Sequence, residues 1–202
     1  MNPPDTVERV EERIAHEDWA LTEVERQVFD RCEFLEVDLT EAVLAGCTFR
    51  NCVLAGCTLN AATLRRCAIL QCVVRRCRFF GVTFDDCKLT GTAFLECELR
   101  PVRIVGGDWS YVSLRGQDLS GADLSGLRLR EADLTEADLR RADLSRADLG
   151  YAKLHNAKLA DADLRGANLE AVPLRGLDLT GVRIDLGQAA LVASAYGARV
   201  EP

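Results

Sequence analysis

Nine cysteines carry most of the reactive chemistry open to this chain, and their spacing argues against the reactions they could perform. They stand at positions 32, 47, 52, 57, 67, 72, 77, 87 and 97. Thiolates ligate zinc where short C-x-x-C pairs converge on one point, and no such pair occurs. Each cysteine instead lies two residues before a large apolar residue, the place of a small buried filler rather than a nucleophile. The two histidines, His16 and His155, have no nucleophile or carboxylate that the sequence places beside them. There is no G-x-G-x-x-G, no G-x-x-x-x-G-K-[ST] and no H-E-x-x-H. With no catalytic set, no cofactor motif and no metal ligands, the chain reads as a non-enzymatic protein whose chemistry is recognition.

The elements that must position any surface group follow from a period of five. Every fifth residue from Phe29 to Ile184 is Leu, Phe, Ile, Val or Trp, 32 positions without a break. Two residues before most of these the chain is small, often cysteine in the first half and alanine from Ala132 to Ala167. Eleven of the 15 glycines fall two residues after the apolar position. Glycine there admits positive φ, so the chain turns a corner in every pentad. Five is neither the 3.6 of a helix nor the 2 of a strand, and a chain that bends this often must coil and stack its turns into a solenoid.

The clearest stretch, ADLSG (122–126) through ADLRG (162–166), resembles the pentapeptide-repeat family. That resemblance implies an all-β solenoid, a right-handed quadrilateral β-helix with four pentads per coil and about eight coils, roughly 38 Å long at the strand spacing of about 4.8 Å. Residues twenty apart then stack in columns, and the parallel side chains of Cys32, Cys52 and Cys72 disfavour a disulfide. Unpaired thiols in this number fit a reducing cytoplasm. The start, MNPPDTVERVEER, has no apolar segment of signal-peptide type, and nothing approaches a membrane-spanning length.

Three segments are expected: an N-terminal extension or cap (1–28), the β-helix (29–184), and a C-terminal dimerisation helix and tail (185–202). Asp5 and Glu8 form a capping box, and Val7, Val10 and Ile14 at helical spacing predict a short amphipathic helix over about residues 6–17, with Trp19 and Val24 as a lid. A second capping box, Asp185 to Gln188, precedes a short α-helix that ends before Gly197. This helix is apolar nearly all round, so it needs covering. A homodimer joined through Ile184, Leu191, Val192, Ala195 and Tyr196 would cover it.

The net charge is −7, distributed as −9 over residues 1–45, +5 over 46–103, −2 over 104–184 and −1 over 185–202. An acidic balance argues against direct nucleic-acid binding. One outward column carries Asp123, Asp143 and Asp163; another carries Asp118, Asp138 and Asp178, interrupted by Lys158; a third carries Asp108 and Asp148 with Arg128 between them. Like charges stacked at strand spacing repel, so stability alone gives no reason to align them. Their spacing is comparable with that of phosphates along a DNA strand, about 3.4 Å. Aspartate before the apolar residue also suits turn geometry, which is the plainer account.

Beyond the pentads, LRP (99–101), DLSGADLSGLRLREADLTEADLR (118–140), DADLRGA (161–167) and the tail TGVRIDLGQAALVASAYG (180–197) resemble the quinolone-resistance pentapeptide-repeat proteins, most closely the mycobacterial fluoroquinolone-resistance type. The resemblance implies a cytoplasmic homodimer that mimics DNA. It would bind DNA gyrase, with topoisomerase IV as a second target, and inhibit the enzyme or protect it from fluoroquinolones or a natural gyrase poison. Carried onto this chain, the mimic residues are Asp118, Asp123, Asp138, Asp143, Asp148, Asp163 and Asp178. The plasmid-borne Qnr relatives project loops from the solenoid, for which an unslipping register leaves no room here. The alternative function is a structural scaffold that binds an unrelated cytoplasmic protein through one face.

Overall fold

The computed structural model describes residues 7–201. The chain divides into two compact units, one ending at Asp108 and the other beginning at Trp109.

The first unit is a parallel β-solenoid. Phe29 pairs with Phe49 and Phe49 with Ile69, while Phe34 pairs with Leu54 and Leu54 with Val74. Twenty residues make four pentads, so each turn has four sides. Strands Glu8–Val10, Val28–Asp30, Thr48–Arg50 and Ala68–Leu70 stack on one side. Strands Arg13–Ala15, Glu33–Leu35, Val53–Ala55, Val73–Arg75 and Ala93–Leu95 stack on the next. A third side is held by isolated bridges from Asp18 through Asp38, Thr58 and Arg78 to Glu98. On the fourth, the longer strand Val82–Lys88 runs on round a corner to reach Ala68, fusing two sides into one nine-stranded sheet. Its partner strand Val102–Asp108 keeps the twenty-residue offset from Val82↔Val102 to Lys88↔Asp108, so nothing is inserted between them. Gly107 is required there, because a Cβ at φ +105° would come 2.2 Å from the carbonyl oxygen of Cys87.

Two expectations change. The coil count differs, since the strand ladders are five deep and confined to the first unit. The N-terminal helix is also absent: residues 8–10 and 13–15 are strands paired with 28–30 and 33–35. Ile14 falls in a pentad register that continues upstream through Val24 and Trp19 to Arg9, whereas Val10 lies outside it and is exposed. Ile14 is wholly buried in that register, which no helix could share with the strand below. Asp5, the expected helix cap, lies outside the described residues. Trp19 closes the end, its ring 6.1 Å from Phe29 and 5.9 Å from Phe34, and Arg9 lies 5.9 Å over the Phe29 ring.

Cysteine fills the small inward position as expected, with eight of the nine buried and Cys97 half-buried. It also donates. Cys52 Sγ reaches the Phe29 carbonyl and Cys87 Sγ the Leu64 carbonyl, each at 3.3 Å, linking successive turns. Thr92 occupies the same register and makes the equivalent bond to Ile69 at 2.7 Å. The position takes a small side chain, and where that is cysteine or threonine it adds a bond between turns. Among the inward aromatic residues a gap of about 20 Å³ lies between Phe34, Leu44, Phe49 and Phe84, room for a single water.

In the second unit the turns are held by isolated bridges: Ser113–Asp133–Lys153, Asp118–Asp138–Lys158, Asp123–Asp143–Asp163–Arg183 and Arg128–Asp148–Asn168. Each pentad closes on itself. The N–H groups of Gln117, Ala122 and Ala137 return to the carbonyls of Leu114, Leu119 and Leu134 at 3.0–3.1 Å. Alanine allows this closure, and the extended corners of the first unit mostly precede cysteine. Closure needs positive φ at the third turn residue, as in a type II turn. Glycine supplies it at Gly116, Gly121 and Gly126, but Glu136, Arg141, Arg146 and Tyr151 adopt φ of 59–62° as well. Among the described residues every non-glycine with positive φ holds this corner position, and none is β-branched, the side-chain class that tolerates it least.

Candidate functional site

The second unit displays the aspartates that the sequence singles out, and its corner geometry explains how. Aspartate precedes the inward leucine, so its Oδ1 can accept the N–H two residues on and close an Asx turn. Asp123 accepts from Ser125 N at 3.0 Å and Asp143 from Ser145 N at 2.9 Å. Asp118 takes both the N–H and the hydroxyl of Ser120, at 3.0 and 2.7 Å, and Asp178 does the same with Thr180, at 3.0 and 2.6 Å. Those bonds from Thr180 lower the pKa of Asp178. Asp133, outside the sequence-selected set, holds Thr135 N at 3.0 Å in the same way; its D-L-T triplet, shared with Asp178, was the available signal.

The seven selected aspartates are not equivalent. Asp118, Asp123 and Asp178 are exposed, and Asp138, Asp143 and Asp148 are half-buried. Asp138 is gripped by Arg140, whose Nε lies 2.9 and 3.0 Å from its two oxygens, and that bond lowers its pKa. Asp148 accepts from Gly150 N at 3.1 Å and from Asn168 Nδ2 at 2.8 Å. Asp163 is only 3% exposed. Arg165 and Arg183 meet it at 2.7 and 2.9 Å, and the Arg165 hydrogen bond leads in lowering its pKa to about 2. Its charge is internally compensated. The Asp138 charge is likewise taken up by Arg140, which leaves Asp123 stacked over Asp143, one turn apart, with Asp118 exposed in the pentad before Asp123. Asp178 stands apart from them, because Lys158 holds the position after Asp138.

A second cluster lies on a neighbouring corner. Tyr111 Oη donates to Glu131 at 2.9 Å, Tyr151 Oη donates to Glu170 at 2.9 Å, and Arg130 lies 4.7 Å over the Tyr151 ring while pairing with Glu170 at 3.2 Å. Exposed tyrosines at the same position two turns apart, with Glu131 between them, were the sequence signal for it.

At the C-terminal end, helix α1 spans Leu186–Ala195 and starts with the expected capping box. Gln188 also ties the helix to the solenoid, its Nε2 donating to the carbonyls of Leu164 at 2.5 Å and Ala167 at 2.9 Å. Asp185 Oδ2 accepts from Gly166 N at 2.8 Å. With its start fixed, α1 leaves apolar groups uncovered: Leu186 is 91% exposed, Leu191 48% and Tyr196 58%. Ile184, Val192 and Ala195 are half-buried around them. Leu186 was missed because a capping-box position draws attention to its polar ends.

Among the described residues no cluster of three His, Cys, Asp or Glu side chains could hold a metal, and no helix is long and apolar enough to cross a membrane. The backbone matches solved structures of QnrB1, a plasmid-mediated fluoroquinolone resistance protein. A trypsin-treated variant is 24% identical with a TM-score of 0.86, covering 97% of this chain and 98% of that one. Full-length QnrB1 is 20% identical with a TM-score of 0.52, covering 95% and 100%. Identities this low establish a shared fold and nothing further. No curated protein sequence matches the chain. The pentapeptide-repeats profile matches eight copies over residues 32–67, 103–135, 110–146 and 147–184. With its twenty-residue turns and its corner in every pentad, the chain belongs to the pentapeptide-repeat family.

Proposed function

We propose that this protein is a homodimeric DNA mimic that binds DNA gyrase, a type II topoisomerase, where gyrase normally holds duplex DNA. It acts by occupying that surface, with inhibition of supercoiling or protection from a gyrase poison as the consequence, and topoisomerase IV is a second target of the same kind. The observation that carries this reading is the stacking of Asp123 over Asp143 on successive turns, with Asp118 exposed in the pentad before Asp123. Carboxylates about 4.8 Å apart present a field of the phosphate-backbone type to a basic groove. The fold shared with QnrB1, itself a fluoroquinolone resistance protein, supports the choice of partner. The uncovered apolar groups of α1, Leu186, Leu191 and Tyr196, support a second copy at that end.

The Asx-turn bond made by each aspartate favours a second reading, in which the carboxylates serve the corners and one face of the solenoid is a scaffold for another protein. A supercoiling assay with purified gyrase separates the two. Inhibition, or protection from quinolone-induced cleavage, at or below micromolar protein supports the mimic. Neither effect at that concentration leaves the scaffold.

A further inference from the structure

The last turns of the second unit hold an open seam. Elsewhere from Trp109 to Leu164 each leucine or tryptophan of the apolar register donates its N–H to the turn beyond, as Leu149 does to Asn168 at 3.0 Å and Leu164 to Arg183 at 2.8 Å. Among the described residues the corresponding bonds are missing at Leu154, Asn156 and Leu159, and the bridges ending at Lys153 and Lys158 have no successor at 173 and 178. Pro173 has no N–H to offer the Ala152 carbonyl, which starts the separation. The opening is bounded, because Tyr151 N meets Glu170 O at 2.7 Å before it and Asp161 N meets Thr180 O at 3.1 Å after it. Gly176, on the lifted lip, donates away from the seam to Tyr196 Oη, just after α1, at 3.3 Å.

Two adjoining hollows of about 360 and 380 Å³ occupy the seam and share Asn156, Gly176 and Leu177. Lys153, His155 and Arg175 line one, and Lys158 with Arg140 the other. Arg140 is committed to Asp138, and Asp178 is the acid on the upper lip. Among the lining charges Lys153, Lys158 and Arg175 outnumber Asp178, with Asp133 and Asp138 one turn below the two lysines, along an edge whose donors and acceptors are those of an unpaired parallel strand.

We propose that the seam takes an extended acidic peptide. Its main chain pairs with the edge at Leu154, Asn156 and Leu159, as in strand addition, and its carboxylates face Lys153, His155, Lys158 and Arg175. An inorganic anion alone would leave the Pro173 and Arg175 carbonyls facing it. A peptide supplies N–H groups for those carbonyls as well.

The test uses the full chain, fluorescein-labelled hexaglutamate for affinity and amide NMR for location, with no gyrase present, so it stands apart from the mimic reading. Hexaglutamate should bind saturably and shift the amides of Leu154, Asn156 and Leu159. The double change Lys153→Glu and Arg175→Glu should weaken binding at least about tenfold, and hexaglutamate N-methylated at alternate amides should lose a similar factor on the unmodified protein. Non-saturable binding, or shifts centred elsewhere, would overturn the proposal. So would equal affinity for the N-methylated peptide, or displacement by inorganic phosphate at equal charge concentration.

Discussion

Arg183 lies one turn beyond Asp163, and its guanidinium sits 2.9 Å from that carboxylate. Arg165 reaches the same group at 2.7 Å from within the Asp163 pentad. A carboxylate enclosed by two guanidinium groups holds the turns together and adds little to an external field. Asp163→Asn should therefore cost about 1–3 kcal/mol of stability, by leaving two charged donors poorly matched, while gyrase binding is retained. Chemical denaturation together with a binding assay checks both halves.

The same carboxylate sets a pH dependence. Its pKa falls from 3.8 to about 2 on folding, chiefly through the Arg165 hydrogen bond. A depressed acid stabilises the fold above its unfolded pKa and loses that contribution as pH drops through the folded one. Stability should decline between about pH 4 and 2, and the decline should be shallower in Asp163→Asn. Superimposable acid limbs for the two proteins would refute the assignment.

The thiols should be inert in order of burial. Cys47 is pushed up by a hydrogen bond shared with Cys67 and by desolvation, whereas Cys97 is half-buried and lowered by its bond with Cys77. Iodoacetamide should modify Cys97 first in the native protein and the other eight only on unfolding. Mass spectrometry after brief alkylation reads the order directly.

Leu21 holds a corner at φ 58° with 75% of its surface exposed. Replacing it by glycine should raise stability by about 0.5–1 kcal/mol, the relief of left-handed strain less the entropy glycine loses. Valine at the corresponding Glu41 corner should lower stability by more than about 1 kcal/mol. Thermal melts of the two variants should move in opposite directions.

How far this architecture could be read in advance depended on which signals were unique to it. The apolar residue at every fifth position admits one arrangement, so the parallel solenoid and the inward cysteines were legible. Val7, Val10 and Ile14 fit a helix, while only Ile14 of the three occupies the apolar pentad position, and its packing beside Phe34 decides for the strand. The exposed aspartates were also legible as outward residues. The compensation of Asp163 was not, because Arg183 reaches it across a turn from a position that looks equally solvated. Glycine marked about a third of the corners; the rest carry ordinary side chains, mostly glutamate and arginine but also Leu21, Asn51 and Ala61, whose positive φ leaves no local mark.

The C-terminal end can be tested on one side chain. Leu191 is exposed on α1, and Gln188 anchors the helix to Leu164 independently of it. Leu191→Asp should yield a folded monomer by sedimentation if α1 is where two copies meet. A dimer that persists would make the helix a cap only.

Removing charge without disturbing the corners tests the central claim most directly. Asparagine keeps the Oδ1 acceptor of the Asx turn, so a protein with Asp118, Asp123 and Asp143 all changed to Asn should retain its circular dichroism. Binding of this variant to purified gyrase, measured across a range of salt, should be at least about tenfold weaker and less salt-dependent than that of the unmodified chain. Unchanged affinity in a folded triple variant would contradict the account.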